Sequence, residues 1–190
     1  MDVTPFVGEP LALDLVNTRP QVSAEIVDLI ADGKGLQAWL ELEKDRLSEV
    51  FSPETASISA ADLRLIHAVR DHVATAIDRQ MRGLDMPATA VEGLNAAIRA
   101  APAIRQLDWG APPTLGSRRE GSTAVRLAAF LAEDAAALLA GAGGRLIRKC
   151  EADDCVMLFV GNNARRRWCS AARCGNRIRV SRYYQRSKSS

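Results

Sequence analysis

The chain has 190 residues, 47% of them hydrophobic and 25% charged, with a formal net charge of +2. That composition fits a soluble globular protein with one domain of ordinary size plus a small satellite, and excludes a low-complexity chain. Aromatic residues are sparse and alanine is abundant, which favours helices. The small net charge hides an asymmetry. Residues 1–147 carry 14 basic and 20 acidic side chains, whereas residues 148–190 carry 11 basic and 3 acidic. The first residues lack a basic region followed by an apolar run, so no signal peptide is expected. The apolar stretch 127–142 is short and interrupted by Glu133 and Asp134, so no membrane span is expected and the location should be cytoplasmic.

Pro10 suits a first helical turn, and the apolar run 11–16 fits either a short helix or a strand. Asp14 is the lone carboxylate in that run, and a buried carboxylate needs a partner to stay ionised. Leu36, Trp39, Leu40 and Glu43 recur at helical spacing, predicting a short amphipathic helix within 35–45 with Trp39 as core anchor. A polar connection over 52–59 follows, and Ser59 with Asp62 starts a long helix that should run to about residue 82, before Gly83. Its expected stripe is Leu63, Ile66, Val73, Ile77 and Met81, with Arg70 inside it. Either the Arg70 stem packs while its guanidinium reaches water, or Arg70 pairs with Asp14, or both face a pocket for a polar ligand. His67 and His72 flank the stripe, at the surface or its boundary.

Pro87 opens a helix to about residue 99 with Val91, Leu94 and Ile98 as its buried face. Residues 103–109 and 114–120 flank Gly110-Ala111-Pro112-Pro113 as a small hairpin. Ser122 caps a last long helix over 123–139, with Val125, Ala129, Ala132, Ala136 and Leu139 along one side. Gly141-Ala142-Gly143-Gly144 ends it and divides a domain of residues 1–144 from one of residues 145–190.

All four cysteines lie in that second part, as Cys150-x4-Cys155, thirteen residues, then Cys169-x4-Cys174. Two close pairs supply two edges of a tetrahedron of soft ligands, the pattern of a four-thiolate zinc site. The alternatives are two disulfides, which require an oxidising compartment, or four unrelated buried thiols. Cys150 to Cys155 should form a knuckle whose backbone amides face sulfur. Strand-like segments flank it, Gly161-Asn162-Asn163 makes a turn, and residues 165–168 should return as the second strand of a hairpin. Cys174 opens a helix to about residue 186, so the last ligand sits at a helix N-terminus, treble-clef-like. On that helix Val180 and Tyr184 share one face, expected to pack on the hairpin, and Arg179, Arg182 and Arg186 share another. The fold expected is mainly α: a multihelical N-terminal domain followed by a small zinc finger of β-hairpin plus helix.

From residue 165 to the end there are nine basic residues and no acid. Such a block is the footprint of a surface that meets phosphate, or else a solvated tail. Arg165, Arg166, Arg167, Arg177, Arg179, Arg182 and Arg186 are the candidate nucleic-acid contacts, since a guanidinium fork matches two acceptors at once. A single finger is a small footprint, so specific DNA binding is expected to require a homodimer.

The blocks Arg165-Arg166-Arg167-Trp168-Cys169-Ser170 and Cys174-Gly175-Asn176-Arg177 resemble the CGNR zinc-finger family, bacterial stress-induced transcription regulators in which an ABATE domain precedes the finger. Leu13-Asp14, with Asn17-Thr18 just beyond, resembles that domain's opening, and the resemblance implies a ligand-sensing role. Asp14, Asn17, Thr18 and Arg70 are the candidate site for an unknown small polar ligand. In the finger's turn the family has an Asp and a Ser or Thr, where this chain reads Gly161-Asn162-Asn163-Ala164. Catalysis is not expected: a closed four-thiolate zinc leaves no open position, and no nucleophile or phosphate-loop motif is present. The expected function is a DNA-binding transcription regulator, with a zinc-stapled protein- or RNA-interaction adaptor as the alternative.

Overall fold

The computed structural model describes residues 5–22, 25–51 and 58–188, apart from the side chains at 182, 183, 185, 186 and 188. The elements in order are α1 (Leu11–Val16), β1 (Gln21–Val22), β2 (Glu25–Ile26), α2 (Gly33–Leu42), α3 (Lys44–Leu47), α4 (Ala60–Met81) and α5 (Ala88–Ala100). Then come β3 (Ile104–Asp108), β4 (Thr114–Arg118), α6 (Thr123–Ala140), β5 (Ile147–Lys149), β6 (Leu158–Val160) and α7 (Asn176–Lys188). The architecture is mainly helical, with three small antiparallel hairpins and a cysteine cluster near the C-terminus. Most of the polar connection expected over 52–59 lies outside the described residues. No helix among the described residues is long and apolar enough to cross a membrane.

The ambiguous run at 11–16 is a helix, and it is apolar nearly all round because neighbours enclose it. α1 packs against α4, α6 and β6, and Leu11, Ala12, Leu13 and Leu15 are buried. Around it, α4 and α6 cross each other and both pack on α5. Ser59 and Asp62 form a reciprocal capping box at the start of α4, and Gly83 with φ +64° follows its end.

The buried stripes sit slightly round the helices from where periodicity puts them. α4 buries Ile66, Val69, Arg70, Val73, Ala76 and Ile77, while Met81 is exposed beyond the packed region. α5 buries Ala90 and Leu94 and leaves Val91 44% exposed. α6 buries Ala124, Leu127, Ala128, Leu131, Ala135 and Leu138 together with the expected Ala129 and Ala132, while Val125, Ala136 and Leu139 flank the contact. The β3–β4 hairpin forms as expected, Leu107 opposite Leu115, and stands out from the helices.

Ile147 and Val160, opposite each other in the β5–β6 hairpin, belong to the core of the helical domain. A second, smaller core surrounds the cysteines and includes Ala152, Met157 and Phe159. The base of the C-terminal module is thus continuous with the helices. The expected hairpin is replaced by a different one. β6 pairs with β5 across the first cysteine pair, and residues 165–168 are irregular. Arg166 turns inward there, which takes its segment out of strand geometry.

Candidate metal centre and the residues around it

The knuckle at the tip of β5–β6 brings Cys150 and Cys155 together. The irregular return supplies Cys169, and a wide helical turn, Ala171–Gly175, carries Cys174 into α7. Ser170 caps that turn, accepting from the Arg173 amide. The four buried Sγ atoms lie within 4.8 Å of one another. Cys155 and Cys169 are 3.9 Å apart and Cys169 and Cys174 3.7 Å. A zinc tetrahedron with bonds of 2.3 Å has sulfurs about 3.8 Å apart, so the set fits zinc; a disulfide needs about 2.0 Å. Such an ion acts as a structural staple.

The surroundings favour one thiolate, at Cys155. The Cys169 amide donates to Cys150 Sγ at 3.4 Å, so this amide-to-sulfur contact comes from the second cysteine pair and not from the Cys150–Cys155 knuckle. Arg177 Nη2 donates to Cys174 Sγ at 3.5 Å. A hydrogen bond from Cys169 brings the Cys155 thiol down to about 5, against burial and with help from the Met157 amide. Cys169 is held well above its usual range by that same bond, burial and the neighbouring thiolate charge. Burial, then the Cys155 charge, pushes Cys174 up to about 12. Four thiols in one dry pocket admit one anion readily and resist the next, and a divalent cation removes that repulsion.

The candidate arginines divide into an internal and an external set. Arg166 is internal: Nη2 reaches Glu9 Oε1 at 2.5 Å and the Cys169 carbonyl at 2.6 Å, and the guanidinium stacks on Phe159 at 4.4 Å. These bonds join the metal loop to the helical domain, and the Arg166 side chain keeps 34% of its surface exposed. Arg165, Arg167, Arg177 and Arg179 are exposed on the module. Arg167 pairs with Glu151, Arg177 with Asp154, and Arg179 Nε donates to the Gly175 carbonyl at 3.2 Å. The side chains of Arg182 and Arg186 lie outside the described residues. Val180 and Tyr184 are 54% and 61% exposed, so that face of α7 does not pack on the hairpin; Ile178 meets the cysteine core instead.

The four residues expected to hold a polar ligand are committed to the fold. Arg70 does not pair with Asp14. It is fully buried and forks onto Asp28 at 2.7 and 2.6 Å, with Nη1 also donating to Thr18 Oγ1. Thr18 in turn donates to the Leu15 carbonyl at 2.6 Å. Asn17 docks the finger, donating to the Leu158 carbonyl at 2.9 Å and accepting from its amide at 2.8 Å. Asp14 accepts from the Gly8 and Glu9 amides and from Arg46 Nη1 at 2.8 Å. Glu43, also buried, shares that guanidinium at 2.8 Å. Sequence reasoning missed Glu9, Asp28 and Arg46. The one signal was a charge, Glu9, lodged between Gly8 and Pro10 at the head of an apolar run.

Two buried carboxylates facing one guanidinium have a pH consequence. Burial outweighs the Arg46 and Gly8 hydrogen bonds and, with Glu43 opposite, raises Asp14 from 3.8 to about 7. The folded state therefore favours protonated Asp14. Its stabilisation is full below about 4 and is lost as pH rises through about 7. Urea unfolding should show the wild type losing stability relative to Asp14→Asn between about pH 4 and about pH 7. A difference that stays flat across that window contradicts the assignment.

A helical domain whose core takes in the base of a four-thiolate module defines a zinc-finger protein. Residues 146–187 match the CGNR zinc finger, and residues 9–142 match the ABATE family, described as a putative stress-induced transcription regulator. The chain belongs to the ABATE family and carries a CGNR zinc finger at its C-terminal end. No curated protein matches it.

Proposed function

We propose that the chain is a DNA-binding transcription regulator whose metal-stapled, treble-clef-like finger contacts phosphate and whose helical domain senses a small molecule. The observation that carries this is the exposure of Arg165, Arg167, Arg177 and Arg179 on a module with no acid after residue 154. Four thiolates complete zinc's coordination, which supports binding rather than catalysis. Reduced, metal-holding thiols suit a cytoplasmic setting. A homodimer would supply the second half-site that one small finger lacks.

Support for sensing comes from a cavity of about 220 Å³ between α2, α4 and the start of α6, lined by Leu36, Leu40, Ile66, Leu127, Asp62 and Ser122. Its mixed lining suits a small, largely apolar molecule with one polar end. A further cavity, of about 260 Å³, is lined by Asn17 and Arg70 from the expected ligand set, together with Val16, Ala74, Val156 and Met157, and is the second candidate place for such a molecule. A protein-interaction adaptor is the second reading, favoured by the exposed Val180 and Tyr184 on α7.

The test is a duplex DNA titration over a salt series, wild type against Arg165→Ala/Arg179→Ala. The wild type should weaken steeply with salt, and the double variant should flatten the log–log slope by about 0.9 for each phosphate contact removed. Binding that ignores salt, or no binding at low salt, contradicts the proposal.

A further inference from the structure

We infer that a groove between the N-terminal segment and the arginine loop of the finger takes unpaired nucleotides, so the module engages exposed bases as well as phosphate. This rests on the reading above that the module binds nucleic acid, and it adds where and in what form. The groove has a volume of about 560 Å³ and is lined by Phe6, Glu9, Arg165, Arg167, Trp168 and Ser170, among others. That size lies in the range of small-molecule pockets and suits a nucleotide rather than a duplex.

Its walls come from opposite ends of the chain. Phe6 and Trp168 are each half-buried against the cysteine core, which holds both rings in place. Arg173 lies over the Phe6 ring at 5.9 Å and Arg167 over the Trp168 ring at 5.2 Å. Flat guanidinium planes beside aromatic rings are stacking surfaces for bases, and their charge meets the adjoining phosphates. Arg165, exposed at the rim, makes no side-chain ion pair or hydrogen bond among the described residues. The acids nearby are neutralised, Glu9 by Arg166 and Glu151 by Arg167, so the field in the groove is positive. Rings recessed in a groove cannot reach bases stacked inside a closed duplex, whereas an unpaired base can enter.

The test uses the full-length, zinc-loaded protein and fluorescence anisotropy at one low salt concentration. The probes are a single-stranded DNA, the same sequence as RNA, its closed duplex, and a duplex with an unpaired bulge. The unpaired probes should bind about tenfold tighter than the closed duplex. Phe6→Leu should weaken the unpaired probes roughly tenfold and leave the closed duplex within about twofold. A preference between the DNA and RNA strands identifies the source of the nucleotides, and either preference supports the groove. Should Phe6→Leu fail to fold, Trp168 emission reads the same stacking. In a Trp109→Phe background the other tryptophan is the fully buried Trp39, and single strands should quench the signal. Equal affinity for paired and unpaired probes, or unquenched emission under saturating single strand, overturns the groove and leaves duplex binding standing. No binding to any probe overturns both.

Discussion

Cys169→Ser is expected to abolish stoichiometric zinc binding and to unfold the C-terminal module while the helical domain keeps its fold. Cys169 is the most connected of the four thiols. Its sulfur contacts Cys155 and Cys174, its amide donates to Cys150, and its carbonyl accepts from Arg166. Structural zinc contributes on the order of 10–16 kcal/mol in small fingers, far more than the cysteine core can supply. The helical domain has its own core of α1, α4 and α6 side chains, to which the described residues of the module add Ile147, Val160 and the partly buried Leu158. Zinc analysis should therefore fall to near zero, helical circular dichroism should largely persist, and limited trypsin digestion should cut within 165–179. A variant that retains one zinc and resists trypsin there contradicts the account.

Arg70→Met is expected to destabilise the helical domain by about 3–5 kcal/mol, the cost of removing one member of a buried ion pair. Met fills much of the space left by the arginine stem, so the loss is electrostatic rather than a cavity. Burial pushes the Asp28 carboxyl up, yet the Arg70 hydrogen bonds and charge, with Arg19 behind them, hold it below its ordinary value. Without Arg70, the fully buried Thr18 and the partly buried Asp28 each lose a donor. For a chain of this length the melting temperature should drop by roughly 10 °C. A drop of only a degree or two would mean that Arg70 is not needed to hold Asp28 and Thr18 in place.

The sequence carried the features that depend on spacing and local chemistry. The cysteine pairs, the Ser59 and Ser122 caps, the Gly83 stop and the Pro-rich hairpin turn were legible because each acts within a few residues. Partners across the fold were not. Asp14 and Arg70 stood out as charges in apolar stripes, but their partners, Arg46 and Asp28, look like ordinary surface charges in sequence. Only packing α1 against α4 and the α2–α3 corner decides which guanidinium meets which carboxylate. Arg166 belongs to an arginine run whose composition signals phosphate, and composition cannot say that one member turns in to Glu9, 157 positions away. The hairpin pairing was missed for a related reason. A Gly-Asn-Asn turn suggested that residues 165–168 return as a strand, while the knuckle itself proved to be the turn that closes β5 onto β6.

Native mass spectrometry of the intact chain reads out whether a metal ion staples the C-terminal module seated on the helical domain. One zinc per chain is expected, released only together with loss of the compact charge-state distribution. A chain that is compact and metal-free with its four cysteines oxidised in pairs would contradict it.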